Sequence, residues 1–381
     1  MSNDGRVTDA PDSPAAPGAG PGDAPVRDVE PPLDRRSLVL AVTGLGASVL
    51  IAIMSVVPAP FAIGGPGPTF DTLSEIDGVP LVSIEGAPTY DASGELRLTT
   101  VSVARGSSSP FTLGRVIRGW LSDSNYVVPE EDVFGTPDQQ EAFEEQSAQA
   151  WVTSQESATV AALEALDQPV PAELTVADID ATSHASGVLE PGDVIVGAGG
   201  AEVETFRELS AALEPLEPGD DVTVTYVRGD VQETATFATL DDGAGGAIMG
   251  IWIDPAFEIP IDVTVQIDSV GGPSAGLMFS LGIMDLLTSE DELNDARVAG
   301  TGTIDASGDV GPIGGIVMKM HGAVDDGAEH FLSPVENCPE VLGNVPAGLD
   351  VYSVDTIDDA YVAIRAIGAG ETDALPTCRA P

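Results

Sequence analysis

Lysine is all but missing from this chain. Thirteen of its fourteen basic residues are arginine, and the single lysine is Lys319. A Walker A loop needs G-x-x-x-x-G-K-[ST]; Lys319 follows Gly314-Gly315-Ile316-Val317-Met318 and precedes Met320, so no P-loop ATPase engine is present. Bases are scarce altogether. Sixty-two acidic residues against fourteen basic ones leave a net charge of −48, which excludes a basic face for nucleic acid and disfavours attraction to anionic lipid. No EF-hand spacing is found, so the acids read as solvated surface rather than cation ligands. Cysteine occurs twice and histidine three times, with no H-E-x-x-H phrase, and this argues against zinc. No metal or organic cofactor is expected.

What the chain does have is apolar residues, 43% of its 381, enough for a real core and for two or three domains. Residues 1–36 are rich in Pro, Gly, Ala and Asp without apolar periodicity and are expected to form a disordered cytoplasmic tail. Residues 37–57, SLVLAVTGLGASVLIAIMSVV, carry no charge. At about 1.5 Å per residue they reach roughly 31 Å, the thickness of a bilayer core, which points to one transmembrane helix ended by Pro58 and Pro60. A signal peptide has a shorter apolar region after a shorter tail. Arg35 and Arg36 flank this run on its N-terminal side and the next basic residue is Arg97, so the positive-inside rule places the N-terminus in the cytoplasm and the rest outside. The pair Cys338 and Cys378 then falls in an exterior compartment, where a disulfide is expected.

Beyond the span, Val79–Ile84 and Glu95–Val103 read as strands and residues 106–136 as irregular. A long helix is expected from Asp138 to about Leu166, with Phe143, Trp151, Val160 and Leu163 as core contacts. Residues 172–240 read strand, strand, helix, strand, strand: Leu174–Asp180, Asp193–Val196, Thr205–Leu213, Val222–Val227 and Glu233–Ala238. The Gly-rich run Asp242–Gly246 reads as a linker, 246–371 as a final unit and 372–381 as a tail. In that final unit the strand Asp262–Ile267 leads through Gly271-Gly272-Pro273-Ser274-Ala275-Gly276 into an apolar helix. A serine in such a turn exposes Oγ beside the N–H groups of a helix N-terminus, which can hold an oxyanion. Lys319 sits among Gly and apolar residues, where burial lowers its pKa toward that of a general base. A histidine base is set aside. His184 lies in the middle unit, His321 is two residues from Lys319, and neither a Gly-Asp-Ser-Gly phrase nor an α/β-hydrolase elbow is read in the chain.

Two resemblances follow from these phrases. Gly187-Val188-Leu189, Gly192-Asp193-Val194-Ile195, the Gly-rich turn and the helix after it resemble a bacterial PDZ domain, which implies binding of extended peptides, C-terminal tails included, by strand addition. The groove is expected between Leu174–Ile179 and Phe206–Leu213. Gly272–Gly276, Thr301-Gly302-Thr303-Ile304, Pro312-Ile313-Gly314-Gly315, Lys319 and Phe331-Leu332-Ser333-Pro334 resemble the proteolytic domain of Lon proteases. That resemblance implies Ser274 as nucleophile, Lys319 as its base and Thr301, eighteen residues before the lysine, as the group that positions the amine. Many Lon enzymes have an acid three residues before the serine; Gly271 stands there instead.

The order of anchor, PDZ and Lon-type domain resembles the membrane-anchored PDZ–Lon-like (YlbL-like) bacterial proteins. It implies an α+β fold and an ATP-independent Ser/Lys endopeptidase acting on exported or membrane proteins. The alternative is a non-catalytic PDZ adaptor on a protease-like fold. Leu81–Gly86, Leu96–Thr100 and Gln155–Ser157 resemble the opening half of the Lon domain, so the protease unit is expected to be split, 66–168 plus 246–371, around a nested PDZ-like unit at 172–240.

Overall fold

The computed structural model of the protein describes residues 34–56, 58–76, 78–105, 111–122, 124–243, 245–267 and 270–379. It divides into two units, residues 1–53 and 54–381. The expected tail lies outside the described residues apart from Asp34–Arg36. Helix α1, Arg35–Val56, has 22 residues, no buried side chain and a mean hydropathy of 2.3 over its apolar window. At about 1.5 Å per residue it is long enough for a bilayer. By length and composition it fits a membrane span or a signal sequence.

The second unit opens with β1 (Phe61–Asp71), β2 (Val82–Glu85) and β3 (Glu95–Arg105). β1 and β3 form a long antiparallel ribbon from Ala62↔Arg105 to Asp71↔Arg97. The stretch read as irregular contains structure: α2 (Leu113–Trp120), β4 (Tyr126–Pro129) on the outer edge of β1, and a helical turn at Glu130–Phe134. These elements are too short to show a period in sequence; pairing with β1 supplies the ladder that defines β4. Helix α3 (Pro137–Ala165) starts at a capping box in which Thr136 Oγ1 accepts from the Gln139 N–H and Gln139 Oε1 accepts from the Thr136 N–H. Only its C-terminal half is core. Ala158 and Val160–Leu163 are buried, whereas Phe143, expected inside, is 69% exposed.

The middle unit follows the expected order: β5 (Ala172–Ile179), β6 (Val194–Ala198), α4 (Phe206–Ala211), β7 (Asp221–Arg228) and β8 (Val231–Ala238). The buried Asp193 carboxylate is gripped by Arg228, Nε to Oδ1 and Nη2 to Oδ2 each at 2.7 Å, and this pair holds its carboxyl below the usual range. The supposed linker is different. Asp242–Gly246 turns a hairpin between Leu240–Asp241 and Ala247–Ile248. The next strand, β9 (Ile251–Phe257), then pairs along β5 from Ile251↔Ile179 to Phe257↔Ala172. Residues 251–257, expected in the catalytic unit, therefore complete the middle sheet, whose order is β8-β7-β6-β5-β9.

The chain continues through β10 (Asp262–Val265), α5 (Gly276–Leu287), β11 (Arg297–Gly300), α6 (Ile316–Asp325), β12 (His330–Pro334), β13 (Asp350–Val354) and α7 (Ile357–Ala369). The second large sheet runs β13-β12-β11-β3-β1-β4, parallel from β13 to β3 and antiparallel beyond. Strands from both sides of the middle unit share this sheet. Its main core unites Leu96 and Leu98 of β3, Leu277–Phe279 of α5, Ala158 of α3 and Ile364 of α7. Trp151 meets Phe279 edge to face at 5.4 Å between ring centres. The expected C-terminal tail is fastened: the Ser353 N–H donates to Pro376 O, and Cys378 is bonded to Cys338.

Two outcomes follow for stability. A fragment of residues 246–371 lacks β1, β3 and α3 and should show no cooperative melt by circular dichroism; a sharp transition in that fragment would refute the shared core. The disulfide closes a 40-residue separation, so Cys378→Ser should lower unfolding free energy by about 2–4 kcal/mol, measured by denaturant titration; unchanged stability would mean the tail contributes nothing.

Candidate active site

Three separate elements deliver the three expected side chains. Ser274 lies in the turn before α5, Thr301 directly after β11, and Lys319 in the first turn of α6. They converge. Lys319 Nζ is 2.8 Å from Ser274 Oγ and 2.8 Å from Thr301 Oγ1, and Thr301 Oγ1 donates to the Ser274 carbonyl oxygen at 2.8 Å. With its proton committed to that carbonyl, the Thr301 oxygen can only accept from the amine. One N–H of Lys319 is thereby fixed, and a neutral amine so held is free to turn its lone pair to the serine hydroxyl.

Lys319 is only 2% exposed, and Thr301 is fully buried. Burial pushes the lysine pKa down from its ordinary value to about 7. Gly314 and Gly315, the latter with φ +76° as N-cap of α6, carry the chain into the helix that presents the amine. The turn before them is pinned by a residue that sequence reading passed over. The buried Asn337 accepts from the Ile313 N–H and donates to the Ile313 carbonyl, both at 2.9 Å. Its neighbour Cys338 carries the disulfide, so clamp and staple adjoin.

The serine turn is held as firmly. Gly272 has φ +82°, a conformation that suits glycine. The Gly302 N–H donates to Ser274 O at 3.0 Å, and Ser154 Oγ of α3 donates to Pro273 O at 3.2 Å. At Gly276 a Cβ would lie 2.8 Å from both Ser154 Oγ and Ile304 Cγ2, so α5 approaches α3 and the Thr303–Gly311 hairpin too closely for any side chain. Among the described residues the N–H of Ala275, next to Ser274 at the start of α5, has no acceptor. A cleft of about 380 Å³ is lined by Ser274 and Lys319 together with Phe70, Val270, and Thr100 and Val101 of β3. Ser154, Asn337 and Phe70 had no signal in sequence, because each acts through a contact more than twenty residues away.

One reading needs correcting. Gly272-Pro273-Ser274-Ala275-Gly276 does spell the G-x-S-x-G of a nucleophile elbow. Its serine faces a lysine, however, and none of the three histidines is hydrogen-bonded to it among the described residues. No group of three or more His, Cys, Asp or Glu side chains able to hold a metal occurs among the described residues.

The family profile of the PDZ domain matches residues 148–239, and that of the Lon protease (S16) C-terminal proteolytic domain matches residues 257–365. Among curated relatives, Lon protease of Azospirillum brasilense is 32% identical over 172 residues, 43% of this chain and 21% of that protein. Lon protease of Campylobacter concisus is 37% identical over 92 residues, 23% of this chain and 11% of that protein. The chain thus spans about a fifth or less of the length of the curated relatives it matches. The PDZ domain of an SdrC-like protein from Listeria monocytogenes is 26% identical over 21% of this chain and 86% of the solved one, with a TM-score of 0.21. The chain unites a PDZ domain with a Lon-type C-terminal proteolytic domain, behind an apolar helix long enough to cross a membrane.

Proposed function

We propose that the protein is an ATP-independent serine endopeptidase, anchored by α1 with its catalytic unit outside the cell, that cuts exported or membrane proteins whose peptides its PDZ domain engages. The observation that carries this reading is the buried amine set 2.8 Å from both Ser274 Oγ and Thr301 Oγ1. Ser274 Oγ attacks the scissile carbonyl while neutral Lys319 takes its proton. The resulting ammonium then donates to the leaving amine. Thr301 aims Lys319 by accepting one of its N–H groups, and the Ala275 N–H at the helix N-terminus is placed to hold the developing oxyanion. A water activated by the same lysine releases the acyl group. The adaptor alternative lacks an equivalent observation: binding alone requires no neutral lysine beside a serine.

Ser274→Ala and Lys319→Ala should each reduce peptidase activity to background in a casein or fluorogenic-peptide assay. Lys319→Arg should fail as well, since guanidinium stays protonated, and Thr301→Val should retain partial activity. Full proteolysis by purified Lys319→Arg protein would sink the mechanism. The pH dependence has a definite sign. Lys319 must lose its proton to act, and burial lowers its pKa to about 7, so kcat/KM should climb tenfold per unit below about pH 7 and level off above it. Folding follows the same linkage: between about 7 and the unfolded value the unfolded chain holds the extra proton, so this group makes stability rise with pH there. Lys319→Met should therefore not lower the melting temperature at pH 7.

Orientation is tested separately. External protease added to intact cells should degrade everything beyond about residue 60 and spare the N-terminal tail. Protection of the bulk of the chain with loss of only the tail would reverse the assignment.

A further inference from the structure

The PDZ groove is not where the sequence suggested. Strand addition needs an unpaired edge, and β5 is paired on both sides, by β6 and β9. The edge strand is β9, which has no other partner among the described residues. A cavity of about 510 Å³ runs between β9 and α4, with Phe206, Leu209 and Leu213 on the helix side and Ile251 and Ile253 on the strand side. One end is the turn Met249–Gly250 that leads into β9. The other is not made by the PDZ domain. Asp305, Ser307 and Asp309 line the cavity, and they belong to the Thr303–Gly311 hairpin of the protease unit. Ala306 of that hairpin packs in one cluster with Phe206, at the start of α4, and Phe257, at the end of β9, so the hairpin closes the far end of the groove.

Direction follows from the strand. A peptide added antiparallel to β9 with its last residue at Ile251 rises about 3.4 Å per residue, passes Ile253 two residues upstream and then meets the hairpin. Where the last residue would sit, the cavity is lined by Leu240, Ile248 and Met249, with Asp180 and Asp241 beside them. Its charged lining is wholly acidic: Asp180, Asp241, Asp305 and Asp309, with no Lys, Arg or His. Two of these are occupied in turns of their own, Asp180 by Thr182 and Asp241 by the N–H groups of Gly243 and Gly245. The hairpin pair differs in place: it stands on the protease side of the groove, away from the Met249–Gly250 turn. Asp305 Oδ1 caps the turn through the N–H groups of Ser307, Gly308 and Asp309, and the Ser307 hydroxyl lies 2.6 Å from that oxygen and 3.0 Å from Asp309 Oδ2; among the described residues Asp305 Oδ2 has no hydrogen-bond partner. Partial desolvation and the charge of Asp305 raise the Asp309 carboxyl above its ordinary value; Arg207, whose Nη2 comes against Gly308 between them, is paired with Asp358.

We infer that the groove selects peptides with an apolar C-terminal residue and a Lys or Arg two or four residues before it, and that Asp305 and Asp309 of the protease hairpin make this selection. The inference rests on the reading of the middle unit as a peptide-binding PDZ domain and extends it to a sequence preference. Two partly exposed ion pairs, weak as surface pairs are, together give a preference of roughly three- to tenfold.

The test uses the full-length protein in detergent and fluorescein-labelled decapeptides that end in Val and differ only in Lys, Ala or Glu at the fifth residue from the end, which alternation puts on the same face as the last. Fluorescence anisotropy at low salt should rank Lys above Ala above Glu, with Lys over Glu by roughly three- to tenfold, and the gap should narrow at 0.5 M NaCl. The chain's net negative charge favours any cationic peptide, so the variants decide. Asp305→Asn/Asp309→Asn keeps the turn-capping oxygen and should bring the Lys and Glu peptides to within twofold, whereas Asp309→Lys should invert their order. Equal binding in the wild type, or a preference that survives both variants, overturns the inference and leaves the PDZ reading intact. Loss of all three peptides in Leu209→Arg places them in the groove. If no peptide binds the wild type at all, the PDZ reading falls and the inference with it.

Discussion

The desolvated amine of Lys319 is the constraint on which the site depends. In a chain with 62 acidic residues the ordinary fate of a lysine is an ion pair that holds its proton more tightly. Here burial alone moves the pKa, and no carboxylate among the described residues opposes it. Position 271, three residues before the serine, is glycine; an acid there would stabilise the ammonium and work against a base poised near neutrality. Uncharged partners do the holding instead. Thr301 accepts one amine hydrogen, and the apolar walls of α6, with Ile316 and Met320 fully buried, keep water away.

Such a site tolerates little slack, and the fold secures it from distant parts of the chain. Ser154 and Ala158 of α3 reach the serine turn and α5 across 119 and 122 residues. A whole folded unit intervenes, yet its insertion disturbs neither partner. The first and last strands of that unit pair with each other, Ala172 opposite Phe257, so the chain leaves and re-enters the protease unit at neighbouring points. The loop-closure entropy of joining α3 to α5 is then carried by the sheet that closes the middle unit rather than by a long flexible loop.

Much of this was legible in the sequence. Strands of the middle unit came within a few residues of their observed limits because each has a clear alternation and a turn residue beside it. The three site residues were legible because Gly-rich phrases mark sharp turns, and because one lysine among so many acids is a conspicuous survivor. What stayed hidden has a common physical cause. β9 looked like the beginning of the catalytic unit, since nothing local says which of two sheets an alternating run will join; the pairing with β5 decides that. Phe143 looked like core by residue type, but α3 outruns the body it packs on. Asn337 and Ser154 are ordinary polar residues whose importance arises only where they meet backbone of another segment.

The hairpin after Thr301 joins these themes. Its first residues adjoin the candidate site: the Gly302 N–H bonds the Ser274 carbonyl, and the Leu277 N–H bonds Gly302 O. Its tip, four residues beyond Thr301, lines the PDZ groove. Gly302 leaves no room for a side chain beside Leu277 and Val310, so the base of the hairpin is tightly packed. A tail held against β9 with its C-terminus at Ile251 has its upstream chain leave the groove at the hairpin, on the protease side. The polarity of strand addition therefore sends the body of a tethered protein, rather than its last residue, toward the protease unit. Under the proposed function, recognition and cleavage fall on different parts of one substrate, which is the arrangement an endopeptidase needs and an exopeptidase does not.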